Sequence, residues 1–220
     1  MVEILNIGSD VRYEVKDTFY LVKSKNPRND PGLAVTTRIP MPFSCLLARL
    51  RYSSLFVNAY KRRKGNPHIY LTSAFGHQIA VINLSQEDKI AFNIKHLIGF
   101  SKNISFTTQV LFSVAALTCE KTFVHVASGP GNIVFETSGP PTVTNDNEVI
   151  FHPVSLIAWT LDTCFSFDRV YSFIDVYLNE TRVSALSSRT GLVLIDADVA
   201  DKPRKRNGLW RLFRSIYLPG

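Results

Sequence analysis

The chain lacks most of the features that would assign it a chemistry. Only three cysteines occur in 220 residues, Cys45, Cys119 and Cys164. They are widely spaced in apolar surroundings with no paired or metal-ligand spacing, which predicts free, buried thiols in a reducing compartment over a disulfide framework. The five histidines, His68, His77, His96, His125 and His152, never fall into HxH or HExxH, nor near a cysteine at ligand spacing. No metal site is therefore predicted. There is no GxSxG, no P-loop and no Cys and His in a nucleophile context, so a non-enzymatic protein without a cofactor is the expectation. The nearest carboxylate pair is Asp196 and Asp198, which follow Leu192-Val193-Leu194-Ile195. Alternate carboxylates share one side of a strand and could do acid/base work, but a solvated strand end before a loop is the simpler expectation.

Long apolar runs are missing too. A membrane-spanning helix needs about 18 apolar residues, and the best stretch, Val110 to Cys119, is much shorter and holds Ser113. The first ten residues, MVEILNIGSD, carry Glu3 and no basic segment before an apolar one. That is neither a secretory signal nor a transit peptide, and it predicts a cytoplasmic protein, with any membrane contact peripheral.

What is present is apolar and aromatic. Hydrophobic residues make up 45% of the chain, with 15 Phe and 8 Tyr against 20% charged residues, a balance that predicts an ordered, all-β protein. A single domain over residues 1–200 is expected, since a chain of this size buries about 70% of its unfolded surface.

Phe92 to Phe106, FNIKHLIGFSKNISF, is written again 59 residues later as FHPVSLIAWTLDTCF, Phe151 to Phe165. Phe92 falls on Phe151, Leu97 on Leu156, Ile98 on Ile157, Gly99 on Ala158, Phe100 on Trp159 and Phe106 on Phe165. The match extends upstream, where Phe56 to Tyr60 corresponds to Phe123 to Ala127 and His68 to Thr72 to Asn132 to Glu136. The offset shrinks from 67 to 64 to 59, as expected of strands on one scaffold joined by loops of differing length. Two tandem repeat units follow, about residues 52–110 and 119–170, each entered through a hairpin. The first hairpin turns at Lys61-Arg62-Arg63-Lys64-Gly65-Asn66-Pro67 and the second at Ser128-Gly129-Pro130-Gly131. Before the first unit, residues 1 to 25 carry strand patterns. Asn26 to Phe43, with four prolines, suits an extended connection holding one short strand near Ala34 to Ile39. After Phe165 strands are expected at Tyr171 to Leu178, Arg182 to Leu186 and Leu192 to Asp196.

Leu97-Ile98-Gly99-Phe100 and Leu156-Ile157-Ala158-Trp159 contain no polar alternate. Both faces of each strand should be covered, one by the core and the other by a second sheet or a neighbouring subunit. The small Gly99 and Ala158 predict a close approach at that position.

Six of the seven net positive charges lie in the last 19 residues, at Lys202, Arg204, Lys205, Arg206, Arg211 and Arg214, with no acid among them. Leu209, Leu212, Phe213 and Ile216 recur at helical spacing, flanked by Trp210 and Tyr217, so residues 201–220 read as a basic tail ending in a short amphipathic helix. Its apolar face can dock on the sandwich, or the tail can contact an anionic membrane surface or an acidic partner. The membrane or partner contact is assigned to Lys202, Arg204, Lys205, Arg206, Trp210, Arg211, Phe213 and Arg214. The alternative is a nucleic-acid binder using this tail and the loop Lys61, Arg62, Arg63, Lys64.

The Leu156 to Trp159 strand, preceded by His152-Pro153, together with the Gly-Pro-Gly turn at 129–131 before an apolar strand, resembles the altered-inheritance-of-mitochondria family, member twenty-four. The similarity covers about residues 45 to 170. It implies a TRAP-like β-sandwich or barrel of pseudo-symmetric repeats, no established catalysis and, for mitochondrial members, a role in organising the inner membrane. Together these features predict a scaffold that acts as a homo-oligomer.

Overall fold

A computed structural model of the chain describes residues 2–22, 28–39, 41, 56–73, 76–110, 123–144, 148–152, 155–167, 183–186 and 191–196. These residues form strands almost throughout. An initial strand β1 (Glu3–Gly8) precedes β2 (Asp10–Glu14), β3 (Thr18–Leu21), β4 (Arg28–Asn29), β5 (Leu33–Arg38), β6 (Val57–Arg62) and β7 (His68–Thr72). Then come β8 (Gln78–Leu84), β9 (Lys89–Phe92), β10 (Leu97–Ser101), β11 (Ser105–Val110), β12 (Phe123–Ser128) and β13 (Gly131–Thr137). The last group is β14 (Pro141–Thr144), β15 (Glu148–Phe151), β16 (Leu156–Thr160), β17 (Cys164–Phe167), β18 (Val183–Leu186) and β19 (Val193–Asp196). The described residues hold one helical turn, Ile94–His96, capped by the Asn93 side chain.

All pairing is antiparallel, in four sheets: β1-β8-β13-β10-β3-β6-β5, β11-β12-β9-β16-β19-β14, β15-β18-β17 and β2-β7-β4. The fold is a β-sandwich stacked four sheets deep. The central core, between the two large sheets, includes Phe92, Leu97, Phe100, Phe106, Phe135 and Leu194. A second core under the β2-β7-β4 sheet holds Val11, Tyr13, Phe19, Leu21, Ile69 and Leu71. A third, under β15-β18-β17, holds Phe151, Leu156, Trp159, Val193 and Ile195.

Side-chain patterning explains which sheets lie inside. The outer strand β2 alternates, with Val11 and Tyr13 buried and Asp10, Arg12 and Glu14 exposed, because one of its faces is wet. In β10 and β16 the apolar residues are buried without alternation, since each lies in a large sheet covered on both sides. That second cover is a sheet of the same chain, not a neighbouring subunit. The segment Asn26 to Phe43 is also more regular than its prolines suggest. Its described part supplies β4 and the six-residue β5, and the four prolines all fall outside these two strands, so no ladder bond is lost to them.

The pairing pattern returns every six strands. In β2–β7, β7 lies between β2 and β4 while β6 lies between β3 and β5; β8–β13 and β14–β19 repeat both arrangements strand for strand. Non-ladder hydrogen bonds recur with it. A side-chain oxygen of Asp30, Ser101 and Thr160 accepts from the backbone N–H of His68 (2.8 Å), Asn132 (2.8 Å) and Leu192 (3.1 Å) respectively. The carbonyls of the same three residues accept from the N–H of Leu33, Ile104 and Thr163. Leu97 and Leu156 occupy the same place in this frame: each precedes a register shift, opposite Phe135 and Ile195. The blocks 52–110 and 119–170 sit across this frame, each opening on a fifth strand, β6 or β12.

Neighbouring groups of six are joined edge to edge. β3 pairs with β10 through Leu21 and Gly99, and β9 pairs with β16 through Phe92 and Ala158. Each large sheet is therefore built from three strands of one group and three of the next, with β1 added at the edge of the seven-stranded one. Asn132 Nδ2 also donates to the Tyr13 hydroxyl at 3.0 Å across the first of these joints, where burial pushes the Tyr13 phenol above its ordinary pKa against the pull of that bond.

Candidate functional site

The β6–β7 connection carries the predicted basic loop, and it is not the expected hairpin: β6 pairs with β3 and β5 while β7 pairs with β2 and β4, so the chain crosses between two sheets here, as it does at the β12–β13 turn. Lys61 and Arg62 end β6, and Arg63 and Lys64 form the tip, all four exposed. Gly65 takes φ of 69°, a left-handed value that glycine adopts at little cost, so the chain can turn there. On the other side Gly32 packs so closely that an added Cβ would lie 2.7 Å from the Lys64 carbonyl. The tip is thus held against the β4–β5 turn, and the Arg63 N–H donates to the Gly32 carbonyl at 2.9 Å.

Folding adds two cations that the sequence does not place there. The Arg62 guanidinium donates to the Lys16 carbonyl at 3.4 Å, and the Arg62 backbone N–H donates to the Asp17 carbonyl at 2.9 Å. Lys102, from the β10–β11 turn, donates its N–H to the Thr18 carbonyl and lies 3.4 Å from the Asp17 carboxylate. Arg62 and Lys102 therefore meet at Asp17 at the end of the first joint, next to Lys16, and Lys61, Arg63 and Lys64 flank Arg62 on the same connection. Lys16 and Lys102 stand 86 positions apart in sequence, and no local signal links them. The exposed Lys102–Asp17 pair contributes little to stability.

Beside this end, the outer face of β2-β7-β4 presents Arg12, Tyr70 and Arg28 on adjacent strands, with Tyr70 opposite both arginines. The Arg12 guanidinium lies 5.9 Å from the Tyr70 ring centroid and 3.2 Å from His68 Nδ1. The same Nδ1 is 3.4 Å from an Asp30 oxygen. One ring nitrogen cannot accept from Arg12 and donate to Asp30 at once, so His68 serves one of them at a time.

The remaining histidines are framework residues. His96 Nδ1 donates to the Glu136 carbonyl at 2.9 Å, and His77 Nδ1 lies 3.3 Å from a Glu136 carboxylate oxygen. His125 is fully buried, with Nδ1 3.4 Å from the Thr108 hydroxyl. Among the described residues no group of three or more His, Cys, Asp or Glu is placed to hold a metal ion. Cys164, expected to be a buried thiol, is free and exposed. Asp196 differs from its expected solvated position. It is fully buried at the end of β19, between β14 and β16, where its carboxylate accepts from the Ser138 N–H at 2.7 Å. The β13–β14 turn reaches this strand end, and the carboxylate clamps it through the Ser138 N–H in place of water. Asp198 lies outside the described residues, as do the strand expected at Tyr171 to Leu178 and the whole basic tail, Lys202, Arg204, Lys205, Arg206, Trp210, Arg211, Phe213 and Arg214 with its helix. No described helix is long and apolar enough to cross a membrane.

No curated protein matches the chain. Among solved structures, the crystal structure of a Streptococcus pyogenes protein is similar with a TM-score of 0.53, covering 90% of this chain and 94% of that one. At 11% identity this likeness concerns the fold. A family model described as mitochondrial biogenesis AIM24 matches residues 30–196, from the β4–β5 turn to the end of β19. On that match, over most of its length, the chain belongs to the mitochondrial biogenesis AIM24 family.

Proposed function

We propose that the chain is a non-enzymatic scaffold, built from three tandem copies of one six-strand module, that acts through oligomerisation and through its basic tail at an anionic membrane surface or an acidic partner. The family description ties it to mitochondrial biogenesis without a molecular activity. The observation that carries the proposal is the way modules are joined. Each of the first two contributes three strands to a sheet that the next module completes. A protein that grows by adding strands at an open edge is built for assembly.

The tail supplies the second contact. Each basic residue near an anionic surface is worth roughly 1 kcal/mol, and the tail has six with no acid. Deleting Lys202 to Gly220 is expected to abolish co-flotation with phosphatidylserine vesicles and to leave the far-UV spectrum unchanged. Flotation that survives the deletion removes the tail from the proposal.

A second reading, single-stranded nucleic acid, is favoured by the exposed Lys61 to Lys64 run with Lys102 beside it at Asp17 and by Tyr70 between two arginines. Aromatic faces stack bases while cations hold phosphates. Its prediction is RNA retention that weakens with salt, with a log-log slope of about −0.7 per phosphate contacted. Reversing Arg62 and Arg63 to Glu is expected to lower affinity at least about tenfold at low salt. Equal retention by the variant eliminates this reading.

A further inference from the structure

The last module ends on an edge that the other two modules use as a joint. β3 and β9 are each paired on both sides, to β6 and β10 and to β12 and β16. β15 holds the same place in the third module and pairs with β18 alone among the described strands. The joint residues are Phe19, Tyr20 and Leu21 on β3 and Ile90, Ala91 and Phe92 on β9. The frame places Val149, Ile150 and Phe151 at the same positions. Tyr20 and Ala91 are 9% and 0% exposed at the middle position, whereas Ile150 is 48% exposed. An apolar side chain thus stands in the open at a position that both preceding modules bury.

Tyr20 and Ala91 are covered by the next sheet in the stack, which the last module lacks among the described strands, and the internal joints indicate what can pair with the β15 edge itself. A head-to-tail copy would have to present β4, the strand equivalent to β10 and β16. There Arg28-Asn29 replaces Gly99-Phe100 and Ala158-Trp159. A charged residue on an edge strand disfavours edge pairing, so the chain's head does not complement its apolar tail edge. The strand that does match the apolar β15 edge is a second β15.

We propose that two copies of this chain join through antiparallel β15–β15 pairing about a two-fold axis at Ile150, making one six-stranded sheet from two β15-β18-β17 sheets. This deepens the oligomer proposed above and rests on it. The register sets Ile150 against Ile150 of the second copy, Val149 against Phe151 and Glu148 against His152, placing apolar pairs at the centre and an acid–imidazole pair at each end. An isologous contact of this kind closes at two and does not run on into fibres.

The test is sedimentation equilibrium of the full chain over a range of concentrations, with Ile150→Lys and with Ile150→Cys in a Cys164→Ser background. The wild type is expected to be a dimer. Ile150→Lys opposes two like charges across the axis and should raise the dimer Kd at least about tenfold with unchanged far-UV signal. The cysteine variant should give a disulfide-linked dimer on mild oxidation that its Cys164→Ser parent does not, because opposed strand residues lie within disulfide reach. An oligomer that ignores Ile150→Lys and yields no such crosslink overturns this interface while leaving oligomerisation standing. A wild type that stays monomeric at every concentration overturns both.

Discussion

Phe92→Ala is expected to destabilise the protein by about 3–5 kcal/mol, the cost of removing a large aromatic from a core that cannot collapse around the gap. Phe92 is 2% exposed and lies in the middle of the central core. Its ring centroid is 5.6 Å from that of Phe106, 5.7 Å from that of Phe135 and 6.1 Å from that of His125. The substitution therefore breaks edge and tilted ring contacts as well as leaving a cavity. Phe92 is also a joint residue, pairing with Ala158 on one side and His125 on the other, so neighbouring backbone in both modules is held in place by ladder bonds. Domains have only about 5–15 kcal/mol in hand, so the midpoint in urea should fall by about a fifth or more. The matching position of the first module is Leu21. Phe92→Leu should cost under about 1.5 kcal/mol, since apolar volume is largely kept. If Phe92→Ala and Phe92→Leu unfold at the same denaturant concentration, cavity formation at this site is not what holds the central core.

Gly99→Ala is the second large effect, and it acts by crowding. A Cβ at Gly99 would lie 2.6 Å from the Phe19 ring and 2.7 Å from the Tyr20 carbonyl. Tyr20 is fixed in the β3–β10 ladder opposite Phe100, so its carbonyl cannot withdraw without breaking the joint. Phe19 is 1% exposed and its ring lies 4.6 Å from that of Tyr13, which leaves little room to swing away. The expected cost is about 2–3 kcal/mol, near the top of the range for an overpacked core. Phe19→Leu in the same chain should recover part of it by removing the ring and should not recover the part due to the carbonyl, so the double-mutant cycle should show coupling. Additive effects, or a Gly99→Ala variant as stable as the wild type, would contradict the close approach. Ala158→Gly should cost only about 0.5–1 kcal/mol, the backbone entropy of a strand glycine.

The contrast between Gly99 and Ala158 shows how far the sequence could be followed. That the two positions correspond, and that something passes close over them, is visible in the paired segments themselves. What passes over Gly99 is not, because Phe19 and Tyr20 lie about 80 residues earlier in an unrelated-looking stretch. The first six-strand group is hard to see for the same reason. Val11, Tyr13, Phe19 and Leu21 keep the apolar class of the matching Ala80, Ile82, Ile90 and Phe92, but not their identity. At β4 even the class is lost, since Arg28-Asn29 faces solvent and not a further sheet. Asp196 misleads in the opposite direction: a carboxylate at a strand end reads as solvated until the β13–β14 turn is known to reach it. The basic end around Asp17 was half legible, with Lys61 to Lys64 contiguous and Lys16 and Lys102 brought in by folding.

The amino-acid sequence by itself determined that this is an all-β protein with strongly apolar strands repeated along the chain, because side-chain alternation and its absence are local and survive substitution within a class. Only the tertiary structure decided how those strands are shared, with three strands of each large sheet supplied by one group of six and three by the next. Ladder partners are chosen by long-range register and by which faces remain to be covered. Neither is written in any one segment of the chain.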